Sequence, residues 1–115
     1  MNHLMLEVTD GNFQNLVLES EQPVLIEFTA DWCPPCRMLA PIIHEIAHQF
    51  EGRLRVGLLD SDANPEIVQR YEVMGLPTLI LFMDGSPVER ILGYTPRNRI
   101  EAKILPHLAF DGAKS

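Results

Sequence analysis

Apolar residues along this chain fall into short runs that alternate between two periods. Residues 4–8 form a brief apolar stretch suited to an edge strand. Asp10 then reads as an N-cap, with Phe13, Leu16 and Val17 following at helical spacing. A polar break over residues 19–22 gives way to Val24-Leu25-Ile26-Glu27-Phe28-Thr29, a nearly continuous apolar and β-branched run. Continuous rather than alternating apolarity predicts a strand covered on both faces. Over residues 34–50 the period changes. Leu39, Ile42, Ile43, Ile46, Ala47 and Phe50 recur three and four residues apart, which predicts a helix with one buried stripe. Pro41 lies inside it and predicts a kink, because proline lacks an N–H and crowds the preceding turn.

Glu51-Gly52-Arg53 closes that helix, and residues 54–59 make a second buried-type strand. Residues 60–64 read as loop. Asn64-Pro65 opens a short helix reaching Tyr71, since proline suits the first helical turn. Gly75-Leu76-Pro77 breaks the pattern before the apolar strand Thr78–Met83. Asp84-Gly85 is a hairpin signal, with Ser86-Pro87 expected to lengthen the loop before a strand over residues 88–92. Gly93 interrupts, and Pro96 opens a last helix with Ile100, Ile104, Leu105 and Leu108 on one face. Residues 110–115 read as a frayed tail.

Strands separated by helices predict parallel pairing with right-handed crossovers, and the hairpin adds antiparallel strands. The expected fold class is therefore α/β, a mixed central β-sheet flanked by helices on both faces. With 115 residues, 46% of them hydrophobic, and no repeat or linker, residues 1–115 read as a single domain. The net charge is −7 and lysine occurs only at 103 and 114, a balance that argues against nucleic acid and anionic membranes as partners. No apolar run is long enough to span a bilayer. Met1-Asn2-His3-Leu4 lacks the basic start and apolar run of a signal peptide, so the expected location is cytoplasmic, where thiols stay reduced.

The chemistry is concentrated in Trp32-Cys33-Pro34-Pro35-Cys36-Arg37, which holds the chain's 2 cysteines at a strand-to-helix junction. At the N-cap of the following helix, the Cys33 sulfur would face the unpaired N–H groups of the first turn. That positive end favours thiolate and lowers the pKa from a free value of about 8.5. Pro34 and Pro35 stiffen the turn but remove two donors, leaving the N–H groups of Cys36 and Arg37. Cys36, one turn in, would be within bonding reach of Cys33 yet less exposed. The pair suits thiol–disulfide exchange: Cys33 attacks a partner's disulfide, and Cys36 then attacks Cys33 and releases the reduced partner. A structural disulfide is the weaker reading, because closing so short a loop stabilises by only about 2 kcal/mol. Half of a zinc site is weaker still, as no second Cys pair exists.

The segment from Phe28 to Pro41 resembles the active-site segment of the thioredoxin family. Asp62-Ala63-Asn64-Pro65, Gly75-Leu76-Pro77-Thr78, Phe82, Asp84-Gly85 and Gly93 follow in the family's order, and the resemblance covers residues 10–108. It implies a thioredoxin fold and a dithiol–disulfide oxidoreductase that reduces protein disulfides. Cys33 would be the nucleophile and Cys36 the resolving cysteine. Pro77 matches the family's cis-proline, which sits against the active disulfide. Trp32, Pro34, Pro35, Gly75, Leu76, Pro77 and Gly93, with Tyr94 beside them, would contact the substrate. The resemblance also implies no bound cofactor, electrons from NADPH through a thioredoxin reductase, and a monomer. Cys33-Pro34-Pro35-Cys36 departs from the family's usual Cys-Gly-Pro-Cys, Thr29 stands where a tryptophan is common, and Leu58 stands where a lysine accompanies a buried aspartate.

Glu27 takes the place of that aspartate. From the residues alone it is either a buried carboxyl with a raised pKa, able to take the proton of Cys36, or a glutamate bending out to solvent. The resemblance favours the buried base. His44-Glu45-Ile46-Ala47-His48 spells a two-histidine zinc motif on a helix, but the buried stripe leaves both histidines on the polar side, so a solvated face is expected. Asp60, Asp62 and Asn64 read as capping and turn residues, His3 and His107 as surface residues, and Met74 as an edge of the docking surface or, more usually for methionine, as packing. Two rival functions share the pattern: a disulfide oxidase or isomerase, and a thioredoxin-fold binding or chaperone subunit with incidental thiols.

Overall fold

A computed structural model describes residues 4–113, so His3 and the last two residues lie outside the described residues. Its centre is a five-stranded sheet in the order β1-β3-β2-β4-β5: β1 Met5–Glu7, β2 Val24–Thr29, β3 Arg55–Asp60, β4 Thr78–Met83 and β5 Ser86–Leu92. β3 pairs parallel with both β1 and β2, whereas β4 runs antiparallel to β2 and to β5. This is the mixed sheet that the order of elements predicts, with the first strand at an edge.

The continuous apolarity of β2 has the expected cause. Leu25 points to a core shared with helix α1, Pro34–Gln49, and helix α3, Arg97–Ala113. Val24, Ile26 and Phe28 point the other way, to a core shared with Phe13, Val17 and Ile67 of helix α2, Pro65–Arg70. β4 alternates in step, with Leu79 and Leu81 on the first face and Ile80 and Phe82 on the second. Each fully buried aliphatic side chain contributes about 1.5–3 kcal/mol, so the two faces lock the strand order and register together. β3 can approach β1 and β2 closely because position 57 is glycine. A Cβ there would lie 2.8 Å from Val8 Cγ2.

Several local expectations need correction. Asp10 does not cap the segment that follows it, which forms only a π-helical turn, Gln14–Leu18, with no side-chain cap. Its carboxylate instead accepts the N–H groups of Glu66 and Ile67, at 3.1 and 3.0 Å, and so caps α2 from across the fold. Ser86 and Pro87 belong to β5 rather than to the loop, because Asp84 and Gly85 make a two-residue turn with φ of 53° and 79°. Pro87 is tolerated because β5 is an edge strand with one side unpaired. α3 continues to Ala113 where a frayed tail is expected from residue 110. Leu105 turns outward from the stripe of Ile100, Ile104 and Leu108. His107 is half-buried, its Nε2 3.3 Å from Glu89 Oε1. Arg97 of α3 joins that helix to α1 by pairing with Glu45 at 2.9 Å, while Glu101 of α3 holds the same guanidinium at 2.8 Å.

Candidate active site

β2 ends at Thr29 and α1 begins at Pro34, so the Cys-containing turn sits where a strand of the sheet's centre runs into a helix N-terminus. Cys33 is the N-cap of α1, with extended backbone at φ −98° and ψ 105°. Its Sγ accepts the N–H of Cys36 at 3.3 Å. The Arg37 N–H goes to the Cys33 carbonyl at 3.2 Å instead of to the sulfur. With Pro34 and Pro35 at the first helical positions, one first-turn donor therefore remains on the sulfur. Cys33 and Cys36 form a disulfide, with Cα atoms 5.3 Å apart.

In this oxidised state both cysteines are 2% exposed, packed with Ala30 and flanked by Leu76. The expected difference in accessibility between them is absent. The disulfide draws both sulfurs beneath the same neighbours, and what separates the two residues is position: only Cys33 stands at the helix cap. Pro34 and Pro35 are exposed around them.

Trp32 stands out from the surface at 65% exposure, yet its indole is tethered. Nε1 donates to Asp62 Oδ2 at 2.7 Å, and the Asp62 N–H is held by Asp60 Oδ1 at 3.1 Å. Sequence reasoning gave Asp62 only a turn role. The turn role exists, but the carboxylate also reaches across to the residue before Cys33, a contact that no local pattern announces. Asn64 completes the loop, accepting the Asp10 N–H at 2.8 Å and donating to the Asp60 carbonyl at 2.9 Å.

The Leu76–Pro77 peptide is cis, as the resemblance implies for Pro77. The Pro77 carbonyl accepts the Gly93 N–H at 2.8 Å, and the Thr78 hydroxyl donates to the Gly75 carbonyl at 2.6 Å. These bonds bring the segments around Gly75 and Gly93 side by side. Between them runs a groove of about 360 Å³, lined by Gly75, Leu76, Thr78 and Gly93, by the exposed Met74 and Leu92, and by Glu72 and Arg90. Leu76 borders both this groove and the cysteines. Trp32 is not part of its wall, and Tyr94 is 44% exposed outside it. Sequence reasoning missed Leu92 and Arg90. Their signal is the period of two: both point opposite to the buried Ile91 on an edge strand.

Glu27 is 2% exposed, which rules out the reading in which it bends to solvent. Alternation puts it on the same face of β2 as Leu25, the face covered by α1. Its register partners are Leu58 on β3 and Leu79 on β4, so neither offers a charge. Oε2 has no hydrogen-bond partner among the described residues. Burial raises the pKa from 4.5 to about 7, since the charged form loses its hydration.

His44 and His48 lie exposed on α1 with their rings stacked 5.5 Å apart. No group of three or more His, Cys, Asp or Glu that could hold a metal ion occurs among the described residues. Nor is any helix among them long and apolar enough to cross a membrane.

Comparison with known proteins agrees with this geometry. The thioredoxin family model matches residues 4–105. Thioredoxin 1 of a Nostoc species is 40% identical over 102 residues, covering 89% of this chain and 95% of the relative. A Mycobacterium bovis thioredoxin is 50% identical over 88 residues, covering 76% of each chain. A bifunctional thioredoxin reductase/thioredoxin of Mycobacterium leprae is 49% identical over 88 residues, covering 76% of this chain and 19% of that one.

Proposed function

Because this chain belongs to the thioredoxin family and its activity is thiol–disulfide exchange that reduces protein disulfides, we propose a specific division of labour among its residues. Cys33 is the nucleophile. Its thiolate attacks one sulfur of a substrate disulfide, the substrate S–S bond breaks, and the other substrate sulfur leaves as thiolate. Cys36 then attacks the Cys33 sulfur, and the second substrate sulfur leaves, giving the Cys33–Cys36 disulfide. The observation that carries this order is the place of the Cys33 sulfur at the cap of α1, where it accepts the Cys36 N–H. That donor and the helix N-terminus stabilise negative charge on Cys33 and on no other sulfur of the pair.

Glu27 is the base for the second step. A carboxyl whose pKa is pushed up to about 7 is ionised in part near neutral pH and accepts the Cys36 proton with little driving force lost. Trp32, Pro34, Pro35, Gly75, Leu76, Pro77 and Gly93 form the surface on which the substrate rests. The occupant is an extended polypeptide carrying the disulfide. The groove that starts at Leu76 supports this, since its near end adjoins the cysteines.

The dithiol is regenerated by a thioredoxin reductase, a reading supported by the joining of both activities in the Mycobacterium leprae relative, and the electrons come from NADPH. The protein works as a monomer in the cytoplasm, where thiols are kept reduced. The test is reduction of a disulfide-bonded polypeptide such as insulin by the wild type and by Cys33→Ser. The variant should lose turnover; equal activity would remove Cys33 from the mechanism.

A further inference from the structure

We propose that Met74 is a peroxide-reactive modification site whose oxidation state sets how tightly the groove beside the disulfide holds a polypeptide; the inference rests on the reductase reading above. The sequence alone leaves Met74 either an edge of the docking surface or, as is more usual for methionine, a packing residue. The structure removes the packing role: Met74 is 94% exposed, against 60% for Met38, while Met5 and Met83 are half-buried. A thioether this open contributes almost nothing to the core. It stands instead on the lip of the groove, next to Gly75 and Leu76, with the 70% exposed Leu92 also on its wall. Leu76 carries that lip up to the cysteines.

In the oxidised protein Cys33 and Cys36 are bonded to each other and present no thiolate. The most accessible sulfur among the described residues is then the Met74 thioether. Hydrogen peroxide reacts with it by a two-electron oxygen transfer. A lone pair on sulfur attacks one peroxide oxygen, the O–O bond breaks, an S–O bond forms, and the other oxygen leaves as water with both protons. The product is a polar, chiral sulfoxide in place of a flexible apolar side chain. An apolar substrate side chain laid over that lip would have to cover the sulfoxide oxygen without supplying a donor, which disfavours docking. The sulfur exchange at Cys33 does not pass through Met74, so the chemistry itself is untouched.

The test treats the disulfide form with hydrogen peroxide, removes it, maps methionine oxidation by mass spectrometry and then assays reduction. Met74 should gain one oxygen faster than Met38. KM for a disulfide-bonded polypeptide should rise by about threefold or more, while kcat and the rate with a small aromatic disulfide stay the same. In Met74→Leu the ratio of KM after peroxide to KM before it should return to one, and Met74→Gln should raise KM without peroxide. Faster oxidation of Met38, or a KM that ignores Met74 sulfoxide in a protein that reduces both disulfides, would overturn the inference alone. Untreated protein that reduces neither disulfide would overturn the reductase reading, and the docking half of this inference with it.

Discussion

The indole of Trp32 is tied to the carboxylate of Asp62, Nε1 to Oδ2, at 2.7 Å, although 30 positions separate the two residues. The bond links the loop after β3 to the residue immediately before Cys33. It also fixes a ring that would otherwise be free to turn, because Trp32 is exposed rather than packed. A substrate meeting an oriented ring loses less freedom on binding than one that must order it.

Asp62→Ala should therefore weaken docking without changing the sulfur chemistry. An exposed hydrogen bond of this kind contributes about 0.5–1 kcal/mol, which corresponds to about a two- to fivefold rise in KM for a polypeptide disulfide. kcat should hold, and the Trp32 fluorescence anisotropy should fall. Asp62→Asn keeps an acceptor oxygen and should recover much of the loss. A KM unmoved by Asp62→Ala would separate this contact from substrate binding.

Glu27 predicts a pH-dependent stability. Below pH 4.5 the carboxyl is protonated in folded and unfolded chains alike, and the fold bears no penalty from it. Between pH 4.5 and about 7 the unfolded chain ionises first, so stability falls; above that range the loss is complete. Its size is about 3 kcal/mol from the displacement of the pKa. Glu27→Gln does not titrate, so in denaturant melts of the disulfide form the variant should gain on the wild type as pH rises from 5 to about 8. Parallel curves would mean that the carboxyl ionises normally.

The same residue predicts a kinetic effect. Glu27→Gln should slow the attack of Cys36 on the mixed disulfide while leaving the first attack by Cys33 alone, measured by rapid-mixing kinetics across the neutral pH range. Leu58→Lys would place an ammonium opposite Glu27 in the strand register and lower its pKa. The pH dependence of the second step should then move to lower pH. An unchanged profile in both variants would leave Glu27 out of proton transfer.

Asp10→Ala should destabilise α2, because it removes the acceptor of both the Glu66 and the Ile67 N–H groups. Loss of a helix N-cap costs about 0.5–2 kcal/mol, readable as a lower denaturation midpoint. Reduction of a small aromatic disulfide should be unaffected, since Asp10 touches neither cysteine. A midpoint equal to that of the wild type would contradict the capping role.

The parts of the fold that were legible in the sequence are those set by local periodicity. The unbroken run of β2 announced two covered faces, and the stripe from Leu39 to Phe50 announced the buried side of α1. The Cys pair and Pro77 were legible through spacing and family resemblance. What escaped was written by contacts far apart along the chain. Asp10 looks like the cap of its own neighbour, and only the folded sheet delivers it to α2. Asp62 looks like a turn residue until the β3–α2 loop meets Trp32. The equal burial of Cys33 and Cys36 reflects their disulfide and the approach of Leu76 from a distant loop. Apart from the Cys33–Cys36 bond itself, no neighbouring residue encodes any of these.

The mechanism depends above all on Cys33 being the sulfur that attacks, and trapping the mixed disulfide tests this most directly. Cys36→Ser, reduced and mixed with a disulfide-bonded polypeptide, should accumulate a one-to-one covalent adduct that mass spectrometry places on Cys33. Cys33→Ser, treated identically, should form little. Equal adducts in the two variants, or an adduct only through Cys36, would contradict the assignment.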